Sequence, residues 1–296
     1  MDNSRAAGLM LLAMAFFAVE DMFVKFLSTR LSVGQILAVS GAMGCVTFWL
    51  LLRRAGGRLI TRDLAHPLVI TRTLAEVVGT LGFVTAVATT ALSSAAAIIQ
   101  ALPLVIVVLA ALVLGESIGW RRWLAVAAGL VGVMMIIKPG LAGFDVNSLW
   151  AVLSVIGLAV RDVVTRRVPR RIASDQMSTL AWGALVPAGL VVAWGFGTPL
   201  QAMSALDMGL FLGLIGFGVT GYAALVSATR IGDAAVIAPF RYSRLIFALI
   251  IAVLVFGERP DLWTLAGATI IAAAGGFAMW REVRAGRRAR ALGAAR

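Results

Sequence analysis

The chain has 296 residues, of which 61% are hydrophobic and 14% charged, and its mean hydropathy is +0.97. Soluble domains are roughly 45–50% apolar, and a soluble chain this apolar would expose aggregating patches, so composition predicts one membrane domain with no soluble one attached. The net charge of +12 does not indicate nucleic acid, because the excess sits in arginines flanking apolar stretches, where membrane topology places them.

A spanning helix needs ~20 mostly apolar residues. Ten runs satisfy this, at roughly 6–28, 33–52, 67–90, 95–115, 120–138, 147–166, 176–196, 207–229, 234–256 and 262–281. They lack the strict alternation of a barrel strand, so the expected class is an all-α integral membrane protein. The first run carries Glu20, Asp21 and Lys25 and reads as a retained span rather than a cleaved signal. With the N-terminus in the cytoplasm, eighteen basic residues fall on the cytoplasmic side, from Arg5 through the pairs Arg53/Arg54 and Arg166/Arg167 to the tail. Four fall outside: Lys25, Arg30, Lys138 and Arg259. That asymmetry predicts an even number of spans with both termini cytoplasmic, in a bacterial inner membrane.

The halves repeat. Ala18-Val19-Glu20-Asp21 matches Ala159-Val160-Arg161-Asp162, Lys25 matches Arg166 and Gln35 matches Gln176, all 141 residues apart. Leu114-Gly115-Glu116 answers Phe256-Gly257-Glu258 at 142, and Ala95–Ile98 resembles Ala234–Ile237. Five spans per repeat is an odd number, so the second half runs inverted, an arrangement transporters use to place a substrate site between two bundles near mid-bilayer. The expected organisation is a first repeat over 6–138, a second over 147–281 and a basic cytoplasmic tail over 282–296.

These residues resemble the drug/metabolite transporter superfamily, in its EamA-type branch of two five-helix repeats. The resemblance rests on the Leu-Gly-Glu and Phe-Gly-Glu that end the fourth and ninth spans and on the Ala-rich entry to each. The stretch Pro239-Phe240-Arg241-Tyr242-Ser243-Arg244-Leu245 is similar to that of small-metabolite carriers. It implies that the first four helices of each repeat surround a cavity while the fifth and tenth lie outside. Members export amino acids and drugs or take up metabolites such as riboflavin and S-adenosylmethionine. Many carry an arginine near position 40, where this chain has Ser40, so no role of that arginine carries over.

Ionisable residues at membrane depth cost about 2.5–3.5 kcal/mol each on insertion scales and mark a path or a site. Arg72 and Glu76 stand four apart and can pair, either as an internal salt bridge easing insertion or with Glu76 holding an amine or a proton. Asp21 can pair with Lys25. Glu20, Asp21 and Asp162 are candidates for gating or proton coupling, while Arg161 either joins them or snorkels to the interface. Arg241 and Arg244, three apart after Pro239, suit a bidentate clamp on a carboxylate or phosphate, with Tyr242 and Gln100 adding hydrogen bonds. Pro103 and Pro239 fall in the fourth span of their repeats as matched hinges or static kinks. The glycines of the eighth span, Gly209, Gly213, Gly216, Gly218 and Gly221, suit close helix packing. Glu116 and Glu258 are expected to cap the helix that follows each. Trp49, Trp120, Trp123, Trp150, Trp263 and Trp280 read as interface anchors, with Trp182 less clearly at an edge.

One cysteine, Cys45, permits no intrachain disulfide, and with the single His66 it makes no metal cluster. No phosphate loop of the GxxxxGK[ST] kind is present. No cofactor, metal or catalytic set is therefore expected. The predicted partners are a small-molecule substrate and membrane lipids, with no nucleic acid, in a monomer or homodimer. The predicted function is secondary transport by alternating access of a small polar metabolite, amino-acid export first and uptake of riboflavin or S-adenosylmethionine as the alternative. A channel or membrane enzyme would belong to a different class.

Overall fold

The computed structural model describes residues 3–114, 119–138, 145–169, 171–198, 200–231 and 238–277. The Glu116 motif, Ala234–Ile237 and the tail lie outside them. The first repeat holds α1 (Asn3–Ser28), α2 (Val33–Arg54), α3 (Pro67–Thr89), α4 (Leu92–Ile99), α5 (Leu102–Leu114) and α6 (Trp120–Ile137). The second holds α7 (Ser148–Thr165), α8 (Ser174–Gly195), α9 (Ala205–Ile231), α10 (Ser243–Leu254) and α11 (Leu262–Phe277). α4 and α5 together form one broken span, and a 3₁₀ turn over Ala238–Tyr242 leads into α10. Among the described residues seven helical segments, α4 and α5 counted as one, are long and apolar enough to cross a membrane, and with the shorter apolar helices α6, α10 and α11 they make an all-α membrane fold of ten helices in two inverted five-helix repeats.

Local chemistry sets the helix ends. Ser32 caps α2 by accepting the Gln35 N–H at 3.3 Å, and His66 Nδ1 accepts the Leu68 N–H at 3.2 Å ahead of Pro67, the first residue of α3. Such side chains satisfy donors that the first turn leaves orphaned, and proline has no donor to lose there. Gly257, at φ +64°, closes the chain after α10 in the left-handed region.

The inversion shows in which helices pack together. α1 lies along α9, α2 along α8 and α3 along α7, so the long helices of one repeat take their main partners from the other. Glycines allow this closeness. A Cβ at Gly34 would stand 2.5 Å from the backbone of Gly189 and Ala193, and one at Gly157 would stand 2.6 Å from the Gly79 nitrogen. Without lipid-excluded hydrophobic force between helices, such approach is how membrane bundles gain dispersion energy. In α9, Gly213, Gly218 and Gly221 face α1, whereas Gly209 and Gly216 face open space.

Candidate transport cavity

The helices enclose a cavity of about 530 Å³. Its walls come from the first four spans of each repeat, and α6 and α11 contribute no lining residue among those described. At one end it reaches Thr165, the last residue of α7, and Ser174, the first of α8. At the other it stops at Val24, Ile36, Val84 and Leu214, beneath a packed cluster that includes Leu27, Leu31, Leu37, Val87 and Leu92. The cavity therefore extends toward the α7–α8 turn and stops short of the α3–α4 turn, where the apolar cluster closes it.

Two irregular backbone segments border it. α4 ends at Gln100 in tight turns, with Gln100 N–H donating to Ala97 O at 3.2 Å and Ala101 N–H to Ile98 O at 3.0 Å. Pro103, in the first turn of α5, has no donor for Ile99. Opposite, Pro239 lies in the 3₁₀ turn before α10, and Gln100 Nε2 donates to Arg241 O at 3.5 Å. Broken helices at membrane depth persist where they border a cavity or are buried in protein.

The charged lining is balanced: Glu20, Asp21, Glu76 and Asp162 against Arg72, Arg161, Arg241 and Arg244. Most of these groups are paired. Arg244 grips Asp21 with two bonds, Nη2 to Oδ1 at 2.6 Å and Nε to Oδ2 at 3.1 Å. Its guanidinium also lies over the rings of Phe17 and Phe83, 5.5 and 5.8 Å from their centroids. Glu76 bridges Arg72 at 3.3 Å and Arg161 at 2.8 Å, and Arg161 Nε reaches Asp162 at 2.8 Å. Arg72 Nη1 donates to Met177 O at 3.3 Å, leaving its buried Nε without a protein partner among the described residues.

Two lining charges stand apart. Glu20 and the Arg241 guanidinium form no hydrogen bond or ion pair among the described residues. The Glu20 carboxylate lies against Gly218, where a Cβ would stand 2.9 Å from Oε1. Arg241 lines the cavity and is exposed.

Several expectations are corrected. Asp21 pairs with Arg244 rather than Lys25, whose ammonium instead donates to the carbonyls of Val87 and Thr90. The short i,i+4 reach loses to a bidentate guanidinium, which matches a carboxylate at two points. Arg161 does not snorkel; Glu76 and Asp162 hold it inside the bundle. Arg241 and Arg244 do not form a joint clamp in this state, because Asp21 holds Arg244 through Nε and Nη2 while Arg241 does not share that partner. The Tyr242 hydroxyl is buried without a partner among the described residues and abuts Gly275 of α11, where a Cβ would collide with it. Glu258 does not cap the following helix. It accepts from the N-terminus of α4, while Asp261 caps α11 through Thr264 N–H at 2.8 Å.

The structure adds an aromatic wall. Trp182 stacks with Phe48 at 6.3 Å between centroids, Tyr222 meets Phe48 edge-on at 6.4 Å, and all three line the cavity. Gly44 makes room for the indole. The signal in the sequence is Trp182's distance from any span edge. Ser40 lines the same wall with its hydroxyl donating to Ile36 O at 2.6 Å.

A model of the EamA-like transporter family matches residues 4–138 and 147–279. Among curated proteins, the chain is similar to the S-adenosylmethionine uptake transporter of Rickettsia prowazekii, 27% identical over 277 residues that cover 92% of this chain and 91% of that one. It is 31% identical over 217 residues to the riboflavin transporter of Rhizobium johnstonii, covering 73% of this chain and 70% of that one. It is also 25% identical over 268 residues to the pseudopaline exporter CntI of Pseudomonas aeruginosa, covering 90% and 93%. A chain solved by crystallography aligns over 96% of this chain and 99% of its own with a TM-score of 0.59 at 16% identity, a likeness of fold alone.

Proposed function

Because the chain belongs to the EamA-like transporter family, we propose that it is a secondary transporter whose substrate carries both a cationic and an anionic group together with a planar ring, in the class of S-adenosylmethionine. The observation that carries this reading is the pair of cavity charges that form no hydrogen bond or ion pair among the described residues, Glu20 and Arg241. An ionisable group left unpaired at membrane depth is costly, and a substrate supplying the opposite charge offsets that cost. The wall of Trp182, Phe48 and Tyr222 offers a face to a planar ring.

Amino-acid export gives way to this larger substrate. A volume of about 530 Å³ falls in the range that holds drug-sized ligands, and a free amino acid would leave much of it to water. Relatives named for S-adenosylmethionine uptake align over most of the chain, which supports uptake. The arginine distribution supports a topology with both termini in the cytoplasm, in which the α7–α8 end of the cavity faces the cytoplasm. Alternating access requires substrate to bind the two states differently. The irregular segments at Gln100–Ala101 and Ala238–Tyr242 are the proposed hinges. Glu20 is the proposed cation-binding and proton-coupling group.

The test is uptake into proteoliposomes of labelled S-adenosylmethionine, riboflavin and a panel of amino acids. Saturable S-adenosylmethionine flux, accelerated by unlabelled substrate on the far side and lost in Arg241→Ala and Glu20→Gln, is expected. Riboflavin flux alone would shift the reading to the aromatic wall without the charges. Flux of amino acids alone would refute it.

A further inference from the structure

The closed end of the cavity is held by more than apolar packing. α3 ends at Thr89 and α4 begins at Leu92, so their turn sets a helix C-terminus beside a helix N-terminus. Lys25 of α1 donates to Val87 O at 2.8 Å and Thr90 O at 2.6 Å, at the negative end of α3. Glu258, from the loop between α10 and α11, accepts from Leu92 N–H at 2.6 Å, Ser93 N–H at 3.0 Å and the Ser93 hydroxyl at 2.6 Å, at the positive end of α4. Each charge satisfies backbone groups that a helix end leaves orphaned and has the sign the helix dipole favours. The two side chains also attract each other. One comes from the first repeat and the other from the second, yet both grip the same turn. Beneath it lies the seal of Leu27, Val87 and Leu92.

We propose that Lys25 and Glu258 form a latch on this mouth, so that the α3–α4 turn must leave Glu258 before the cavity can open on that side. The inference deepens the transport reading and rests on it. The groups involved sit at the end of the bundle, where water can take over each hydrogen bond, so release is reversible. The turn continues through α4 to the break at Gln100, which would carry its movement to the cavity wall. The motif repeats in inverted order: Arg166 stands where Lys25 does, and Glu116 where Glu258 does.

The experiment reads the gate without knowing the substrate. In a Cys45→Ser background, Leu27→Cys places a thiol in the seal, where Leu27 is fully buried, and Ser178→Cys places one in the cavity wall toward the α7–α8 turn. A membrane-impermeant thiol reagent is applied from each side in turn. Glu258→Gln keeps the shape and removes the charge, and Lys25→Met removes the other half of the latch. Removing the charge from a charge-assisted contact should raise Leu27→Cys labelling about tenfold and slow labelling at Ser178→Cys. Unchanged rates would overturn the proposal. Faster labelling at both positions would overturn it too, since that marks a loosened fold rather than a shifted gate. If Glu258→Gln does not fold, Lys25→Met carries the same test. A failed latch with intact flux leaves the transport reading standing, and absent flux with a working latch removes only the substrate.

Discussion

Replacing Arg244 with methionine should destabilise the protein far more than neutralising its partner. In the native bundle the Asp21 side chain is 1% exposed and the Arg244 side chain 23%, and two hydrogen bonds join them. Removing one member of a buried ion pair costs about 3–5 kcal/mol, because the survivor keeps its desolvation penalty without its attraction. Arg244→Met strands Asp21 beside Glu20, two carboxylates with no cation between them, and should reach the upper part of that range. Asp21→Asn should cost less, since Glu20 stands next to Arg244 and can take over part of the pairing. Asp21→Asn with Arg244→Met should recover at least half of the loss, as neutral replacements of buried pairs are close to neutral overall. In a chain of this size 1 kcal/mol shifts the midpoint by roughly 2 °C, so thermal unfolding in detergent should fall by about 8–10 °C for Arg244→Met. Equal losses for the two single variants, or a double variant no more stable than Arg244→Met, would refute the assignment of this pair as the main tie between α1 and α10.

Among the described residues the Arg241 side chain makes no pair, so Arg241→Ala should leave the unfolding midpoint unchanged while lowering flux at subsaturating substrate by about 10- to 100-fold, the worth of one charge-assisted contact; a lowered midpoint would give it a structural role instead. Gly34→Leu should separate α2 from α8 at a cost of about 1–3 kcal/mol, seen as a lower midpoint, whereas Gly8→Leu, where a Cβ meets nothing within 4 Å, should have no effect. The Asp261 carboxyl is held down at about 2, first by its hydrogen bond from Lys138. Its folded value lies below the unfolded ~3.9, so its contribution is complete above that value and is lost as pH falls toward 2. The pH dependence of the midpoint between pH 4 and 2 should therefore flatten in Asp261→Asn. It will be small, because the side chain is 44% exposed and solvent screens it.

The helices were legible because long apolar runs have no other stable form in a bilayer, and the inversion was legible because five is odd. Pro103 pointed to the broken span. The break itself falls at Gln100–Ala101, since a proline withholds its bond from a carbonyl one turn earlier. Pairing was less legible. Periodicity speaks only of neighbours on one helix, so Asp21 looked toward Lys25, four residues away, when its partner lies 223 residues on. Glu258 looked toward α11 for the same reason, although its ligands are 165 and 166 residues back. Trp182 carried a faint signal, but its place on the cavity wall depends on Gly44 of another helix, which no local pattern records.

The packing of α1 on α9, α2 on α8 and α3 on α7 has a consequence for how the chain is made. At about 5–20 residues per second, α9 emerges roughly 10–35 s after α1 has left the ribosome. During that interval α1 carries Glu20 and Asp21 into the bilayer with Arg244 still unsynthesised, and the glycine faces of α2 and α3 meet lipid or each other. A chain cut after 138 would be held in that waiting state permanently, and membrane proteases should clear it. Supplying the second half as a separate polypeptide should rescue it, because the two halves are partners before either is a folded unit.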